Sequence, residues 1–394
     1  MPTSPPLSLF VDLGSSLIKV LYFHEEQPRI FLMSPKLCTL SAKRLENLLD
    51  ANSDAPPEDL AWVQQGEDWI AVGTLAEQLN GSSAIKQRKA EQGLVRVLGV
   101  LGILQETLNL PAQFQCNLGI ALPVAEYADR ESFAQLLEQE ARQYSFRGRP
   151  LQVEFTRLDI QIEGMGLVRD RRAELLSQNK SASSLKIVAL MFGHRNLSVL
   201  TFAGSTLQLE SSTSSGPGFV KAVEVLAREL SVEPTTEGLV EIVALGKQTY
   251  RFEGSLKPRS TIQAVAEARG EYWRMVADHL QGALPGGEFE IVAAGGALPV
   301  IKAELVTFFE QFGLSDHLSF ADRLQKQLSK ALAADPLCKG KLEDSLTIRL
   351  LDAFVGLQTL LLKVKQQPAQ TVARKAKVSP PSDDQVIEKF SAIL

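Results

Sequence analysis

Residues 9–23 read LFVDLGSSLIKVLYF, with two β-branched and aromatic runs on either side of a polar turn that begins at Gly14. Such runs, separated by a glycine turn, predict a β-hairpin. Asp12 lies at the end of the first predicted strand, and Lys19 lies on the second. Clustered N–H groups, hydroxyls and a lysine suit phosphate oxygens, and a carboxylate opposite them can hold a hydrated Mg²⁺. The same pattern also fits an ordinary hairpin with a polar turn.

The composition is that of a globular chain with more than one domain. The 394 residues are 45% hydrophobic and 22% charged, and a single core rarely extends over that length. The net charge of -5 argues against nucleic acid as a partner of the whole surface. No apolar run reaches the length of a membrane span, and no basic segment precedes Leu7, so we expect a cytoplasmic protein without a membrane partner.

Cysteine and histidine residues are scattered and predict no zinc site. The cysteines are odd in number, far apart and without histidine neighbours at ligand spacing, so they are typical of buried thiols in a reducing compartment. They are Cys38, Cys116 and Cys338.

In the first half of the chain, apolar periodicity predicts mixed strands and helices. A third strand is expected at 30–40, a hairpin at 60–72, a helix at 94–108, a buried strand at 116–122, a helix at 130–144, strands at 151–155 and 159–162, and a charged helix at 167–176. The polar segment 177–184 is interpreted as a linker, so the first domain is predicted to span 1–184.

The second half repeats the opening pattern. Strands are expected at 185–191 and 197–202 around Gly193, followed by a third strand at 206–210. A Ser/Gly segment at 211–218 then precedes a helix at 219–230. Further on, we expect a helix at 264–284, a strand at 289–293, a helix with Pro299 in its first turn, and helices at 322–334 and 346–365. The second domain is therefore predicted at 185–365. Residues 366–394 are interpreted as a disordered basic linker that ends in a short apolar segment, which is either a frayed terminus or a docking element for a partner. The basic residues at this end, interpreted as a solvated linker rather than a DNA contact, are Lys363, Lys365, Arg374, Lys375 and Lys377.

Three segments resemble, in order and spacing, the nucleotide-binding motifs of the actin, hexokinase and DnaK-type chaperone superfamily. Residues 12–19 resemble the phosphate-1 loop, residues 191–196 occupy the place of the phosphate-2 loop, and residues 291–297 resemble the adenosine motif. Further segments resemble the bacterial actin-like proteins related to ParM, namely 69–76, 89–91, 119–127 and 349–356. The resemblance extends over nearly the whole chain. It implies an α/β, two-lobed actin-like fold, a ribonuclease-H-like domain that is duplicated, with a nucleotide cleft between the lobes.

The resemblance also implies site residues for ATP or ADP with Mg²⁺, and it leaves GTP open. Asp12 would hold Mg²⁺ through water, and Lys19 would contact the β- and γ-phosphates. The residues that would cradle phosphate or adenosine are Gly14, Ser15, Ser16, Gly295 and Gly296. Glu163 falls where the connecting segment carries the residue that orients the attacking water, and a carboxylate there can accept a hydrogen bond from that water. A solvent-facing acid at a strand end is the alternative interpretation of Glu163.

The second loop departs from the pattern Asp-x-Gly-x-x-Thr-x-Asp of the family. Met191, Asn196 and Ser198 replace its Asp, Thr and final Asp, and of the signature Gly193 alone remains. A thioether cannot accept a hydrogen bond from metal-bound water as a carboxylate does, so one anchor of Mg²⁺ is missing. Direct phosphate contact by His194 or Arg195 would favour binding over turnover, and we expect weak or absent hydrolysis.

Two functions from different classes follow. The first is a ParM-type nucleotide-binding protein that forms head-to-tail filaments for plasmid segregation or intracellular positioning, works with a DNA-binding adaptor, and is at most a weak ATPase. The second is a non-polymerising pseudo-ATPase that serves as an adaptor or scaffold. A sugar or acetate kinase of the same superfamily is disfavoured, because no catalytic aspartate beside a substrate pocket is identifiable.

Overall fold

A computed structural model describes residues 5–51, 54–82, 89–178, 185–204, 206–333 and 344–366 of the chain. Two compact units are formed. The first contains the described residues up to Glu163 together with 328–333 and 352–366, and the second contains 164–327 and 344–351. The predicted linker at 177–184 lies outside the described residues from 179 onwards, and so does the C-terminal segment from 367 onwards.

In the described part of the first unit, nine strands form one sheet in the order β3-β2-β1-β7-β9-β8-β5-β6-β4. Their bounds are β1 (Leu7–Leu13), β2 (Ile18–His24), β3 (Gln27–Met33), β4 (Leu37–Leu40), β5 (Trp62–Gln65), β6 (Asp68–Val72), β7 (Gln113–Leu122), β8 (Tyr144–Phe146) and β9 (Arg149–Ile162). The predicted hairpin is confirmed as the antiparallel pair of β1 and β2, and β7 runs parallel to both β1 and β9. Every residue of β1 is buried, as expected of a strand covered on both faces.

Residues 151–155 and 159–162 belong to a single strand rather than to the two strands expected. The register of β9 against β7 shifts between the pairs Cys116–Phe155 and Asn117–Arg157, which leaves Thr156 as the extra residue of a bulge. A bulge interrupts the alternation of inward and outward side chains, and this is why one strand has the sequence pattern of two.

Helices cover the first sheet, and their bounds are α1 (Ala42–Ala51), α2 (Gly73–Gln78), α3 (Lys89–Thr107) and α4 (Arg130–Ala141). The predicted helix at 94–108 is confirmed as α3. Its side chains at Leu94, Leu98 and Leu101 are buried in the same core as Leu9 and Val11 of β1. The core therefore forms around the first strand of the hairpin and fixes the position of its turn.

The second unit has a smaller sheet in the order β12-β11-β10-β16-β17, with β13 also paired to β11. Among the described residues, the remaining strands are β10 (Lys186–Phe192), β11 (Asn196–Ala203), β12 (Thr206–Leu207), β13 (Thr213–Pro217), β14 (Thr249–Tyr250), β15 (Arg259–Ser260), β16 (Phe289–Ala294) and β17 (Leu318–Ser319). The remaining helices are α5 (Met165–Ser177), α6 (Val220–Leu230), α7 (Leu239–Leu245), α8 (Ile262–Ala283), α9 (Leu298–Gln311), α10 (Asp322–Leu332) and α11 (Asp344–Gln366). Helix α5 belongs to the second unit, whereas the sequence interpretation assigns it to the first domain.

Most of the Ser/Gly segment 211–218, to which the sequence analysis assigns no element, forms β13. The Ser198 hydroxyl donates to the Ser214 hydroxyl at 2.9 Å, and the Thr201 N–H donates to the Ser212 hydroxyl at 3.0 Å. Side-chain bonds to a neighbouring strand hold this hydroxyl-rich segment in extended form, although its composition is typical of a loop.

The two sheets repeat one topology. In each unit, the first strand of a hairpin has an antiparallel neighbour on one side and a parallel neighbour on the other. Asp12 pairs with Lys19 across the hairpin and with a residue of β7 on its other side. Met191 pairs with Ser198 and with a residue of β16 in the same way. Asp12 and Met191 therefore occupy equivalent positions in a duplicated α/β domain.

Within the described ranges, no helix is both long enough and apolar enough to cross a membrane.

Candidate functional site

The turn between β1 and β2 brings the first group of predicted site residues together. Asp12 is 5% exposed, and its Oδ2 forms an ion pair with the ammonium of Lys19. The Gly14 N–H donates to the Asp12 carbonyl at 2.9 Å, and a Cβ on Gly14 would lie 2.2 Å from the Leu17 carbonyl oxygen. The turn therefore requires glycine at this position. Ser15 and Ser16 follow it, the first half-buried and the second exposed.

Glu163 lies at the same edge of the first sheet as Asp12. Its N–H donates to the Leu122 carbonyl at 2.8 Å, which continues the pairing of β9 with β7. Asp12 pairs with Ala121 of β7, so two strand spacings, on the order of 10 Å of backbone, separate Asp12 from the end of β9. The carboxyl ends of parallel strands are where open α/β sheets bind ligands.

The turn between β10 and β11 is closed by its own backbone. The Gly193 N–H donates to the carbonyls of Met191 and Asn196, each at 3.1 Å. The Asn196 side-chain amide donates to the Ser214 carbonyl of β13. Asn196 and Ser198, which replace a threonine and an aspartate of the family pattern, therefore both bond to β13.

The first N–H groups of α6 hold the second loop. Phe219 N–H donates to the Gly193 carbonyl at 3.1 Å, and Val220 N–H donates to the His194 carbonyl at 2.9 Å. A Cβ on Gly218 would lie 2.1 Å from the Arg195 carbonyl carbon, so the helix start approaches the loop as closely as glycine allows. The helix N-terminus, which could bind an anion, uses these donors for the loop itself.

The glycine turn after β16 packs on the second loop. Gly295 has a φ of +116°, and a Cβ there would lie 2.4 Å from the Phe192 carbonyl oxygen. The Ala297 N–H donates to the same carbonyl at 3.1 Å. Pro299 lies in the first turn of α9, as predicted. The second loop and the segment that resembles the adenosine motif thus form one structural cluster.

Arg349 of α11 also reaches this cluster. Its Nε lies 3.1 Å from the position that a Cβ on Gly296 would take. Burial lowers the pKa of the nearby His194, and the charge of Arg349 lowers it further. Sequence reasoning did not assign Arg349 to the site. The sequence feature that could have pointed to Arg349 is its place as the single basic residue in the largely apolar segment Thr347–Val355.

Met191, which the resemblance places where the family pattern has a carboxylate, packs close to the residue before α5. Its Cγ lies 3.3 Å from the position of a Cβ on Gly164, the residue before the helix. Magnesium requires hard oxygen ligands, which a thioether does not supply. Asp12 is already paired with Lys19, and the described residues contain no group of three or more His, Cys, Asp or Glu that could hold a metal. The side chain at position 191 therefore offers no hard oxygen ligand for Mg²⁺.

No protein-family model matches this sequence, and no match was found among curated proteins. Solved structures match it over nearly its whole length. The actin-like protein Alp7A has a TM-score of 0.64 at 13% identity, with 92% of this chain and 98% of that chain covered. A ParM filament from Clostridium botulinum gives 0.60 at 13% identity, with 91% and 99% covered. The archaeal actin homologue Ta0583 in complex with ADP gives 0.57 at 14% identity, with 90% and 99% covered. These similarities confirm the predicted fold class: the chain has the actin-like α/β fold.

Proposed function

We propose that this chain is a ParM-type nucleotide-binding protein that self-associates head to tail into filaments, for plasmid segregation or positioning of cargo in the cytoplasm. The observation that carries the proposal is the pairing of Asp12 with Lys19 beside the Gly14 turn, at the carboxyl edge of the sheet, in a duplicated actin-like fold. Similar structures include a ParM filament and an actin homologue bound to ADP, which supports both parts of the proposal. A DNA-binding adaptor would connect such a filament to its cargo.

ATP or ADP is the proposed ligand, and GTP is the alternative. In the first unit, Lys19 would contact phosphate oxygens, and the backbone around Gly14 with the hydroxyls of Ser15 and Ser16 would cradle them. If Mg²⁺ accompanies the nucleotide, Asp12 would hold it through water. In the second unit, the proposed contacts are Gly193, His194, Arg195, Gly295 and Gly296.

Hydrolysis is proposed to be weak. Phosphoryl transfer depends on positioning and on neutralising charge in the transition state, and removing one such group commonly costs about 100- to 1000-fold in rate. Met191 removes one, because its thioether neither binds a hard metal nor accepts a strong hydrogen bond from water. Glu163 is the proposed group that positions the attacking water.

A non-polymerising pseudo-ATPase adaptor is the second candidate. Two observations favour it, namely Met191 at the position equivalent to Asp12, and the ion pair that already joins Asp12 to Lys19. Sedimentation separates the candidates. A pellet that depends on nucleotide supports the filament, and no pellet at any nucleotide or protein concentration supports the adaptor.

Calorimetric titration of ATP and ADP into the wild type and Asp12→Ala tests the common premise. We expect micromolar binding that the substitution weakens at least tenfold, because it removes the carboxylate that orients Lys19. Asp68→Ala is the matched control, since Asp68 is exposed at the start of β6. Equal binding by the wild type and Asp12→Ala would refute the role of Asp12, and no binding by the wild type would refute nucleotide binding.

A further inference from the structure

Arg349 is held against the turn that resembles the adenosine motif. Three atoms of its side chain, Nε, Cδ and Cγ, lie 3.1, 3.2 and 3.3 Å from the position that a Cβ on Gly296 would take. A larger residue at 296 would displace the arginine. The absence of a side chain at Gly296 therefore lets the Arg349 side chain, up to its Nε, pack against the turn.

The imidazole ring of His194, in the second loop, packs next to an aromatic pair. Its ring is 6.4 Å from that of Phe219, and Phe219 packs edge-on against the buried Tyr272 at 6.0 Å. The carbonyl of His194 accepts a hydrogen bond from α6. Both the backbone and the imidazole ring are thus positioned by packing.

Among the described residues, the charge that acts on His194 is that of Arg349 on α11; Arg195 follows it in the loop, and Tyr272 packs on the far side of Phe219. Burial raises the pKa of Tyr272, so that phenol stays neutral. Burial and the charge of Arg349 both lower the pKa of His194. The imidazole is therefore neutral near pH 7 without a ligand, and a phosphate anion beside it would favour its protonated form.

We propose that Arg349 and His194 form a cationic cradle that binds the nucleotide phosphates without a metal ion, in place of the Mg²⁺ for which Met191 provides no ligand. The inference rests on the proposed nucleotide binding. A guanidinium group matches phosphate geometry with parallel hydrogen bonds and keeps its charge at every accessible pH. The cradle neutralises phosphate charge with the permanent charge of Arg349 and with an imidazole that takes up a proton when phosphate binds, which favours retention of nucleotide over alignment of water.

The first test is calorimetric titration of ADP in EDTA and in excess Mg²⁺. We expect the wild type to bind within about threefold of the same affinity in both buffers. Arg349→Gln should weaken ADP binding on the order of tenfold in each buffer, since a hydrogen bond to a charged group is lost. Arg349→Lys should lose less, because it retains the charge. Adenosine, which lacks phosphates, should bind equally to the wild type and Arg349→Gln.

Arg228→Gln is the matched control, since Arg228 is an exposed arginine on another helix of the same unit. Unchanged ADP affinity in Arg349→Gln, or loss of wild-type binding in EDTA, would overturn the cradle while leaving nucleotide binding intact. Failure of the wild type to bind ADP in either buffer would instead overturn the proposed function.

A second measurement on the wild type depends on no variant. The imidazole signals of His194 are followed by NMR across pH, with and without ADP in EDTA, after assignment with His194→Gln. We expect ADP to raise the pKa of His194, because bound phosphate stabilises the imidazolium. A pKa that ADP leaves unchanged would overturn the cradle.

Discussion

Replacing Gly295 by alanine probes the contact that joins the second loop to the turn after β16. The φ of +116° lies in a region that is open almost only to glycine, and holding another residue there costs about 1–3 kcal/mol. The new Cβ would also lie 2.4 Å from the Phe192 carbonyl oxygen and 2.7 Å from its nitrogen. Both are backbone atoms, so no side chain can rotate away.

Relieving that overlap requires movement of β10 or of the turn, which costs a further 1–3 kcal/mol or so by analogy with overpacked cores. The bond from Ala297 N–H to the Phe192 carbonyl would lengthen, with a loss of about 1 kcal/mol. The expected total is a decrease of about 3–7 kcal/mol in the free energy of unfolding.

Urea unfolding, followed by far-UV circular dichroism and tryptophan fluorescence, measures this free energy. Gly270→Ala is the control, because Gly270 lies within α8 with open space around its Cβ position. Alanine there should stabilise the chain by about 0.5–1 kcal/mol through helix propensity. A Gly295→Ala variant within about 1 kcal/mol of the wild type would refute the reasoning from backbone overlap.

Three further predictions concern charged groups. Asp12→Asn leaves the Lys19 ammonium without its carboxylate, and we expect urea unfolding to show a loss of about 3 kcal/mol that Lys19→Met in the same chain largely restores. The Glu290 side chain is 3% exposed and contacts Arg171 at 2.5 Å. Glu290→Gln removes this charged partner of Arg171 and should also lower the free energy of unfolding by about 3 kcal/mol. Burial lowers the pKa of His279 below its usual 6.5, so the unfolded chain takes up that proton first. Stability should therefore fall as the pH drops below about 6.5, and less steeply in His279→Gln.

Each of these variants has a control and a contradicting result. Asp68→Asn and Glu229→Gln change exposed carboxylates and should stay within about 0.5 kcal/mol of the wild type. If the double variant of Asp12 and Lys19 is no more stable than Asp12→Asn alone, the two side chains are not coupled. A loss for Glu290→Gln equal to that of its exposed control would contradict the burial argument. Identical pH profiles for the wild type and His279→Gln would contradict the third prediction.

Local sequence patterns predicted most of the elements that carry the candidate site. Both hairpins, the helix α3 and the start of α9 at Pro299 follow from residues close together in the chain. Hairpin register is also local, so the pairing of Asp12 with Lys19 follows once the turn is recognised. That Met191 stands where the family pattern has Asp stays a prediction from the sequence.

Charge burial in α5 could not be predicted, since the sequence there is that of an exposed helix. Asp170 and Arg171 are buried, and each has a partner that offsets the cost of burying its charge: Arg323 pairs with the first at 2.6 Å, and Glu290 pairs with the second. The Oε1 atom of Glu290 also lies 3.2 Å from the Nδ1 atom of His317. These partners are distant in the chain, and no helical or strand period relates their positions.

The sequence by itself determined the elements and the glycine turns, because each depends on neighbouring residues and on backbone conformation. Only the tertiary structure decided that Arg349 lies over Gly296 and beside His194, and that residues 213–217 become a strand. Such contacts join segments that meet only after the sheet and its helices have packed. They depend on the geometry of that packing, which no local pattern encodes.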